Sequence, residues 1–284
     1  MLEAPSHIIR IGVVNYLNTL PLIDGLEGLA DFHLVHDVPS RLLGHLLKDE
    51  VDIALCSSFD YQVSGEPLVI IPGGLLGCDG STMTVRLFSQ VPTKRIGRVY
   101  CDTDSHTSVN LLRVLLHEVY GIEPELVHFD ARTHINTGED SAVEWPESML
   151  LIGDKVVTDA TPAIRYPYQI DLGAEWFELT GLPFVFAMWM MKKPAEGDLE
   201  SIAIGRTAGA VFDHQRRRNA ELLEVILRKH IERCGWPYDL ARSYVTEMIQ
   251  YEWTERAETG LQRFFDYCYN LKLINKNRAV EFIS

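Results

Sequence analysis

The sequence contains few cysteines, and their spacing does not pair them. The five lie far apart without a Cys-x-x-Cys motif: Cys56, Cys78, Cys101, Cys234 and Cys268. Zinc sites and disulfide frameworks need close or paired spacing, so the sequence predicts neither a metal site nor disulfides. We therefore expect a protein of a reducing compartment.

Long hydrophobic runs are also missing. The longest apolar stretch, residues 182–191, contains a proline and is too short to cross a bilayer. The first ten residues, MLEAPSHIIR, lack the basic and apolar segments of a secretory signal. We expect a cytoplasmic protein that does not insert into membranes.

Positive charge is scarce. The 284 residues include 26 Lys and Arg against 40 Asp and Glu, a formal net charge of −14. Binding to nucleic acids or anionic membranes is driven by positive charge, so neither partner is predicted. The basic run Arg216-Arg217-Arg218 is expected to form the solvated face of a helix. An anionic ligand would have to be held by local hydrogen-bond donors.

Several motifs of nucleotide-binding and hydrolytic enzymes are absent. The sequence has no G-x-x-x-x-G-K-[ST], no G-x-G-x-x-G after a strand, no H-E-x-x-H and no G-x-S-x-G. The ten histidines are scattered. His33 and His36 lie three apart on a predicted strand, so they face opposite sides and cannot share a metal ion.

Strand-like and helix-like periods alternate along the first two thirds of the chain. Helices are expected from Pro39 and from Ser108, a glycine-rich loop around residues 73–80, and mostly helix after Pro194. The predicted strands are 9–13, 32–35, 51–55, 82–89, 96–101, 148–152 and 183–190. Strand–helix–strand order with short connections predicts parallel pairing in an α/β fold.

A linker at residues 90–94 and the apolar return at 183–190 predict two lobes with a cleft between them. We place residues 1–94 and 186–284 in the first lobe, which includes the helical C-terminal part, and 95–185 in the second. Ligands of open α/β sheets bind beyond the carboxyl ends of strands, where helix N-termini present unpaired N–H groups.

Four polar turns lie at such strand ends. Each could cap a helix or close a turn, and each could instead hold a ligand. Together they predict a small polar ligand in one cleft. Their polar residues are Asn15, Tyr16, Asn18 and Thr19; Ser57, Ser58 and Asp60; Ser81, Thr82 and Thr84; and Ser105, His106, Thr107 and Ser108. His106 stands out because an imidazole can titrate near neutral pH.

These segments resemble, in order, the chorismate dehydratases of the futalosine route to menaquinone. The resemblance runs from Ile9 to about Trp189. It rests on Arg10-Ile11-Gly12, Tyr16-Leu17-Asn18, Pro21-Leu22, Val38-Pro39-Ser40, Val51-Asp52-Ile53-Ala54, Cys78-Asp79-Gly80, Thr107-Ser108, Leu151-Ile152-Gly153-Asp154 and Thr180-Gly181-Leu182-Pro183-Phe184-Val185-Phe186-Ala187. It implies the two-lobed fold of type 2 periplasmic solute-binding proteins.

Two positions depart from the usual pattern of that family. Ser105-His106-Thr107-Ser108 stands where the family usually has Ser-Arg-Thr-Ser, and Cys56-Ser57-Ser58 stands where it often has Pro-Ser. An arginine is a fixed, forked cation for a carboxylate, and a histidine replaces it only in part. Either the substrate is held differently here, or the ligand is another one.

The resemblance implies loss of water from chorismate, a dicarboxylate, to give 3-[(1-carboxyvinyl)oxy]benzoate without a cofactor or metal. We hypothesise that Asn18 and Thr84 grip the substrate and that His106 takes part in catalysis. His106, Asp60 or a substrate carboxylate could remove the proton. The remaining predicted substrate contacts are Asn15, Tyr16, Ser57, Ser58, Ser81, Thr82, Ser105, Thr107, Ser108 and Asp154.

Two alternatives remain. One is a non-catalytic cytoplasmic protein of the same fold that binds a small anion. The other is 1,4-dihydroxy-6-naphthoate synthase, whose usual N-terminal pattern differs from Tyr16-Leu17-Asn18. The sequence is compatible with a monomer or a homodimer.

Overall fold

The computed structural model describes residues 8–130, 145–158 and 165–284. Most of the segment on which the predicted lack of a secretory signal depends lies outside these ranges. No described helix is long and apolar enough to cross a membrane.

The described strands form two sheets, with helices packed around them. The strands are β1 Ile9–Val13, β2 Phe32–His36, β3 Ile53–Ser57, β4 Leu68–Cys78, β5 Val85–Ser89, β6 Arg98–Asp102, β7 Glu125–Phe129, β8 Ser148–Ile152, β9 Tyr168–Asp171, β10 Phe184–Lys192 and β11 Ile249–Gln250. The α-helices are Leu20–Ile23, Pro39–Leu47, Asp60–Val63, His106–Glu118, Lys155–Thr158, Leu172–Thr180, Leu199–Glu221, Leu223–Cys234, Tyr238–Ser243 and Glu255–Asn270. A π-helical turn covers Tyr244–Met248.

The six-stranded sheet has the order β11-β4-β10-β3-β1-β2, and the five-stranded sheet the order β7-β6-β8-β5-β9. In the first, β1 pairs in parallel with β2 and β3, and β10 is antiparallel to β3 and β4. In the second, β6 is parallel to β7 and β8, and β5 is antiparallel to β8 and β9. The predicted α/β class is therefore confirmed.

Local sequence explains the first strand and the helix after β2. Ile9, Ile11 and Val13 of β1 are buried. The helix Pro39–Leu47 begins at its proline, whose fixed φ suits the first turn, and it buries Leu42 and Leu46 on one face. These two predictions are confirmed.

The predicted loop at residues 73–80 is wrong over most of its length. Gly73, Gly74 and Gly77 lie inside β4. A Cβ on Gly77 would lie 2.6 Å from the carbonyl oxygen of Phe184, and one on Gly73 would collide with Phe212. These glycines therefore allow close approach of neighbouring backbone and a helix, and they do not mark a turn.

Other predicted boundaries differ from the observed ones, most of them by a few residues. The strand predicted at 82–89 begins at Val85, because Met83 adopts φ 59° in a turn. The helix predicted from Ser108 begins at His106 and is capped by Ser105. Residues 271–284 are not helical, and Phe282 forms a bridge to Ile70 instead.

The division into lobes stays a proposal, but the sheet to which each strand belongs favours different boundaries between the lobes. Strand β5 belongs to the five-stranded sheet, although a boundary at residue 94 places it in the first lobe. Strand β10 returns the chain to the six-stranded sheet, where it lies between β4 and β3. We propose that the first crossing lies near residue 84 and the second near residue 183.

Candidate functional site

A buried hydrogen-bonded chain connects three elements that are distant in sequence. Asn18 lies in the 3₁₀ turn Leu17–Thr19 after β1, and Thr84 directly precedes β5. Tyr244 begins the π-helical turn of the C-terminal part. Asn18 Nδ2 donates to the Tyr244 hydroxyl at 3.1 Å, and that hydroxyl lies 2.6 Å from Thr84 Oγ1. All three residues are buried.

This chain leaves one acceptor without a partner. Asn18 is only 8% exposed, and within the described ranges its Oδ1 has no hydrogen-bond partner. An unsatisfied buried oxygen costs free energy unless a donor from water or a ligand reaches it. Asn18 and Thr84 therefore lie in one buried cluster, and their predicted contact with the substrate stays a prediction.

Asp154 lies beside the same cluster. It follows β8 and Gly153, whose φ of 77° makes the turn. The backbone N–H of Leu17 donates to Asp154 Oδ2 at 3.2 Å. Burial raises the pKa of Asp154 to about 6, although Leu17, Trp236 and Lys155 act in the opposite direction. A carboxyl group with that pKa exchanges a proton near neutral pH, as an acid catalyst must.

A buried ionic cluster lies at the carboxyl end of β6. Lys155 Nζ contacts the Asp102 carboxylate and lies 2.8 Å from Asp104 Oδ2. The hydroxyl of Tyr16 donates to the same Asp104 oxygen at 2.8 Å, and Ser40 N donates to the Asp104 carbonyl. Asp104 therefore joins the two sheets, and Tyr16, a predicted substrate contact, is one of its partners.

His106 is paired with an internal carboxylate. Its Nδ1 lies 2.7 Å from Asp60 Oδ1. The Asp60 side chain is fully buried and that of His106 is 46% exposed. The hydrogen bond to Asp60 raises the pKa of His106, and burial raises the pKa of Asp60. If Nδ1 carries the proton, Nε2 is left as a basic nitrogen, an arrangement used by general bases.

The predicted carboxylate site at the start of helix His106–Glu118 has protein contacts of its own. Ser105 Oγ accepts hydrogen bonds from Ser108 N at 3.3 Å and from Ser108 Oγ at 3.2 Å. Thr107 Oγ1 accepts from Phe59 N at 3.0 Å. The helix-cap interpretation, which the sequence left open, therefore applies to Ser105.

The hydroxyl of Ser58 contacts both strand β10 and the helix His106–Glu118. Its Oγ donates to the Val185 carbonyl at 2.7 Å and lies 3.3 Å from Thr107 Oγ1. Ser57 is buried in β3, opposite Ala187 of β10. Ser58 thus lies at the contact between the sheets, and the roles of both serines as substrate contacts stay predictions.

The turn before Thr84 wraps around a carboxylate of the protein. Asp171 accepts from Ser81 Oγ at 2.7 Å, from Thr82 N at 3.0 Å and from Met83 N at 2.6 Å. It also caps the helix Leu172–Thr180. The Ser81 hydroxyl is therefore bonded to Asp171, and Thr82 is buried with its carbonyl facing Thr84 Oγ1 at 3.4 Å.

Asn15 lies apart from Asn18. It is exposed and lines a separate cavity of about 570 Å³ together with Asp24, His230 and Arg233. Asn18 lies within the 3₁₀ turn Leu17–Thr19, whereas Asn15 precedes that turn. The structure thus does not group Asn15 with the Asn18 cluster.

Sequence reasoning missed Tyr244 and Lys155. Tyr244 is 160 residues from Thr84 and lies in a part of the chain predicted only as helical. Lys155 directly follows Gly153-Asp154, which was recognised as a motif, and this neighbouring position could have indicated that Lys155 belongs to the site. Asp104 was part of a recognised turn, but the sequence did not single it out.

Comparison with known proteins identifies the family. A family model described as menaquinone biosynthesis matches residues 9–270. The chain belongs to this family. Chorismate dehydratase of Thermus thermophilus is 30% identical over 197 residues, which cover 64% of this chain and 69% of that protein.

Solved structures support the periplasmic-binding-protein-like fold. Protein AF1704 from Archaeoglobus fulgidus superposes with a TM-score of 0.63 at 15% identity, covering 95% of this chain and 100% of that one. The periplasmic aliphatic sulphonate binding protein SsuA from Escherichia coli gives 0.58 at 17% identity, covering 95% and 89%. The predicted fold is therefore confirmed.

Proposed function

We propose that this protein dehydrates chorismate to 3-[(1-carboxyvinyl)oxy]benzoate in the cytoplasmic futalosine route to menaquinone. The observation that carries the proposal is the buried Asn18 cluster, which has an unpartnered acceptor and lies beside Asp154, a carboxyl with a pKa of about 6. Membership of the menaquinone biosynthesis family and the likeness to a chorismate dehydratase support it.

The chemistry requires removal of one ring proton and loss of the neighbouring hydroxyl. The ring carbon that bears the enolpyruvyl ether loses its proton, and the electrons of the broken C–H bond form a ring double bond. The C–O bond on the next carbon then breaks, and its oxygen takes a proton to leave as water. Donors aimed at the ring carboxylate stabilise the negative charge that develops there.

We assign the acid role to Asp154 and the base role to His106. Asp154, when protonated, delivers the proton that the departing oxygen needs. The paired Asp60 orients His106 so that Nε2 accepts the ring proton. If a substrate carboxylate removes the proton instead, then His106→Gln keeps its turnover with chorismate, and the base assignment is rejected.

The substrate contacts are proposed to come from both sheets. Asn18 and Thr84 bind the ring substituents on one side of the substrate. Contacts from the other side of the substrate would come from Ser57, Ser58 and the residues Ser105 to Ser108. Because Nδ1 of His106 is already hydrogen-bonded to Asp60, this histidine does not reproduce the forked arginine usual in the family. Recognition of the second carboxylate then depends on hydroxyl and backbone donors.

Incubation of the purified protein with chorismate tests the proposal. We expect loss of one water by mass spectrometry and the ultraviolet absorbance of an aromatic enolpyruvyl ether. Asn18→Ala and Thr84→Ala should each lower kcat/KM by about tenfold or more, the effect of losing a buried hydrogen bond. Thr259→Ala is the matched control, since this exposed threonine bonds only to its own helix, at Glu255 O.

Unchanged chorismate in the presence of folded protein would reject the dehydratase. A binding protein of the same fold would then be the remaining interpretation, with mass spectrometry of any co-purified small anion as the next measurement. Normal turnover by both Asn18→Ala and Thr84→Ala would instead retain the reaction and reject this placement of the substrate.

A further inference from the structure

Tyr244 has a polar contact that its packing does not require. Its ring stacks on Trp236, with centroids 4.9 Å apart, and it is fully buried. Its hydroxyl meets Asn18 and Thr84, residues that are 226 and 160 positions away. Single π-helical turns such as Tyr244–Met248 are frequent at functional sites.

The protons along this chain have one consistent direction. Thr84 Oγ1 donates to the Thr82 carbonyl at 3.4 Å, so Thr84 accepts from Tyr244. The Tyr244 oxygen, whose proton is thus used, accepts from Asn18 Nδ2. A neutral hydroxyl has one proton, and an amide presents its donor and acceptor on different atoms. Tyr244 therefore fixes which way the Asn18 amide faces.

The fixed amide leaves Asn18 Oδ1 as an acceptor. Among the described residues it has no partner, although it is buried. An amide oxygen binds a hydrogen-bond donor and repels a carboxylate, so the matching group on a ligand that carries hydroxyl and carboxylate groups is the hydroxyl.

We propose that Tyr244 is a positioning residue that aims Asn18 Oδ1 at the hydroxyl group of the substrate. The inference rests on the proposed function only for the identity of that hydroxyl, the one lost as water. Asn18 would hold this hydroxyl in the orientation from which the C–O bond breaks. The site is thereby specific for a cyclic hydroxy acid over an acid that lacks the hydroxyl.

The variant Tyr244→Phe removes only the hydroxyl and keeps the ring on Trp236. We expect kcat/KM with chorismate to fall by about 10- to 100-fold, the range of leaving a buried polar partner unpaired. Tyr251→Phe is the matched control, because Tyr251 has a buried hydroxyl for which the described part of the chain offers no partner. Its kcat/KM should stay within about twofold of the parent, since no bond is lost.

A purely structural role would not change ligand discrimination. Calorimetry should therefore compare two stable ligands, 3-[(1-carboxyvinyl)oxy]benzoate and its 4-hydroxy derivative. The parent and Tyr251→Phe should prefer the hydroxylated ligand, and Tyr244→Phe should lose at least about fivefold of that preference. An unchanged ratio of Kd values in Tyr244→Phe overturns the proposal.

A further measurement separates this inference from the dehydratase proposal. The side-chain amide protons of Asn18, assigned by comparison with Asn18→Ala, should exchange slowly with solvent in the parent and faster in Tyr244→Phe. This readout needs no turnover of chorismate. If the parent leaves chorismate unchanged but its Asn18 amide protons exchange more slowly than those of Tyr244→Phe, the dehydratase proposal is rejected and the positioning role of Tyr244 is retained. If the exchange rates are the same in both proteins, the positioning role is rejected.

Discussion

His106 Nδ1 lies 2.7 Å from Asp60 Oδ1, and this pair connects the start of helix His106–Glu118 with the start of the short helix Asp60–Val63 after β3. Asp60 is completely buried, and its other oxygen has no hydrogen-bond partner within the described ranges. A buried carboxylate needs a compensating charge or hydrogen bond. His106 therefore stabilises the contact between the two sheets as well as supplying a basic nitrogen.

Stability should consequently fall as the pH rises past neutrality. The hydrogen bond to Asp60 raises the pKa of His106 above its ordinary 6.5. The folded protein then binds its proton more tightly than the unfolded chain, so the stabilisation is complete below pH 6.5 and is lost as the pH passes the folded pKa. Burial raises the pKa of Asp60 above its ordinary 3.8, so this group also lowers stability as the pH rises, but over a window that begins at 3.8.

Urea unfolding at pH 6 and pH 8 measures this dependence. The wild-type protein should have a lower free energy of unfolding at pH 8. His106→Gln keeps a hydrogen-bond donor but does not titrate, so its decrease between the two pH values should be smaller. An equal decrease in both proteins would show that other groups cause it.

The substitution Lys155→Met should be strongly destabilising. Lys155 is buried between Asp102 and Asp104, and its removal leaves two buried carboxylates without their cation. Breaking a buried ion pair from one side costs about 3–5 kcal/mol. Denaturant unfolding at neutral pH measures the loss.

Lys193→Met serves as the comparison for that substitution. Lys193 forms an ion pair with Glu281 in which both side chains are about half exposed. Such surface pairs contribute at most about 1 kcal/mol. Similar losses for the two lysine variants would mean that Lys155 is not an essential cation of the cluster.

Substitution of alanine for two of the glycines should change the stability of the protein in opposite directions. A Cβ on Gly260 would lie far inside contact distance of the Pro183 carbonyl oxygen, so helix Glu255–Asn270 would have to move away from it. Overpacking of this kind costs about 1–3 kcal/mol. Gly44 lies in helix Pro39–Leu47 with open space around it, and alanine there should stabilise by about 0.5–1 kcal/mol. Thermal unfolding of both variants, compared with the parent, tests the assignment.

Local patterns predicted the elements whose structure is decided locally. Alternating Ile9, Ile11 and Val13 indicated β1, and Pro39 marked the start of a helix. The glycines of β4 were misread because their neighbours, Phe184 and Phe212, come from distant segments. A turn residue and a glycine that admits a neighbouring chain have the same appearance in one sequence.

In the candidate site, too, some features follow from local sequence and others depend on distant segments. Asn18 and Asp154 follow predicted strands and Thr84 lies within one, so the sequence could single out these residues as candidates, but it did not predict the order of the strands in the sheets. The Tyr244 contact depends on how the C-terminal part folds back over the sheets, and no local pattern encodes it. The Asp60 partner of His106 likewise emerges only when the two sheets pack together.

Asp154 provides a test that combines pH and mutation. Burial raises its pKa to about 6, so the protonated form declines as the pH rises above that value. If this form protonates the departing hydroxyl, kcat/KM should fall on the alkaline side, and the fall should begin once His106, the assigned base, is deprotonated as well. Asp154→Asn should lower the maximum by about 100-fold or more and abolish the alkaline decrease. Asp239→Asn, at an exposed carboxylate, should change neither.

Stability measurements exclude unfolding as the reason for lost activity in Asp154→Asn. A carboxyl whose folded pKa is raised from 3.8 to about 6 destabilises the protein as the pH rises between these values and remains unfavourable above them. The neutral asparagine avoids this cost, so the variant should unfold at an equal or higher urea concentration than the parent at pH 8. An inactive variant that is also less stable at pH 8 would point to a structural role at Leu17 N, and an active one with the alkaline decrease intact would remove Asp154 from the mechanism.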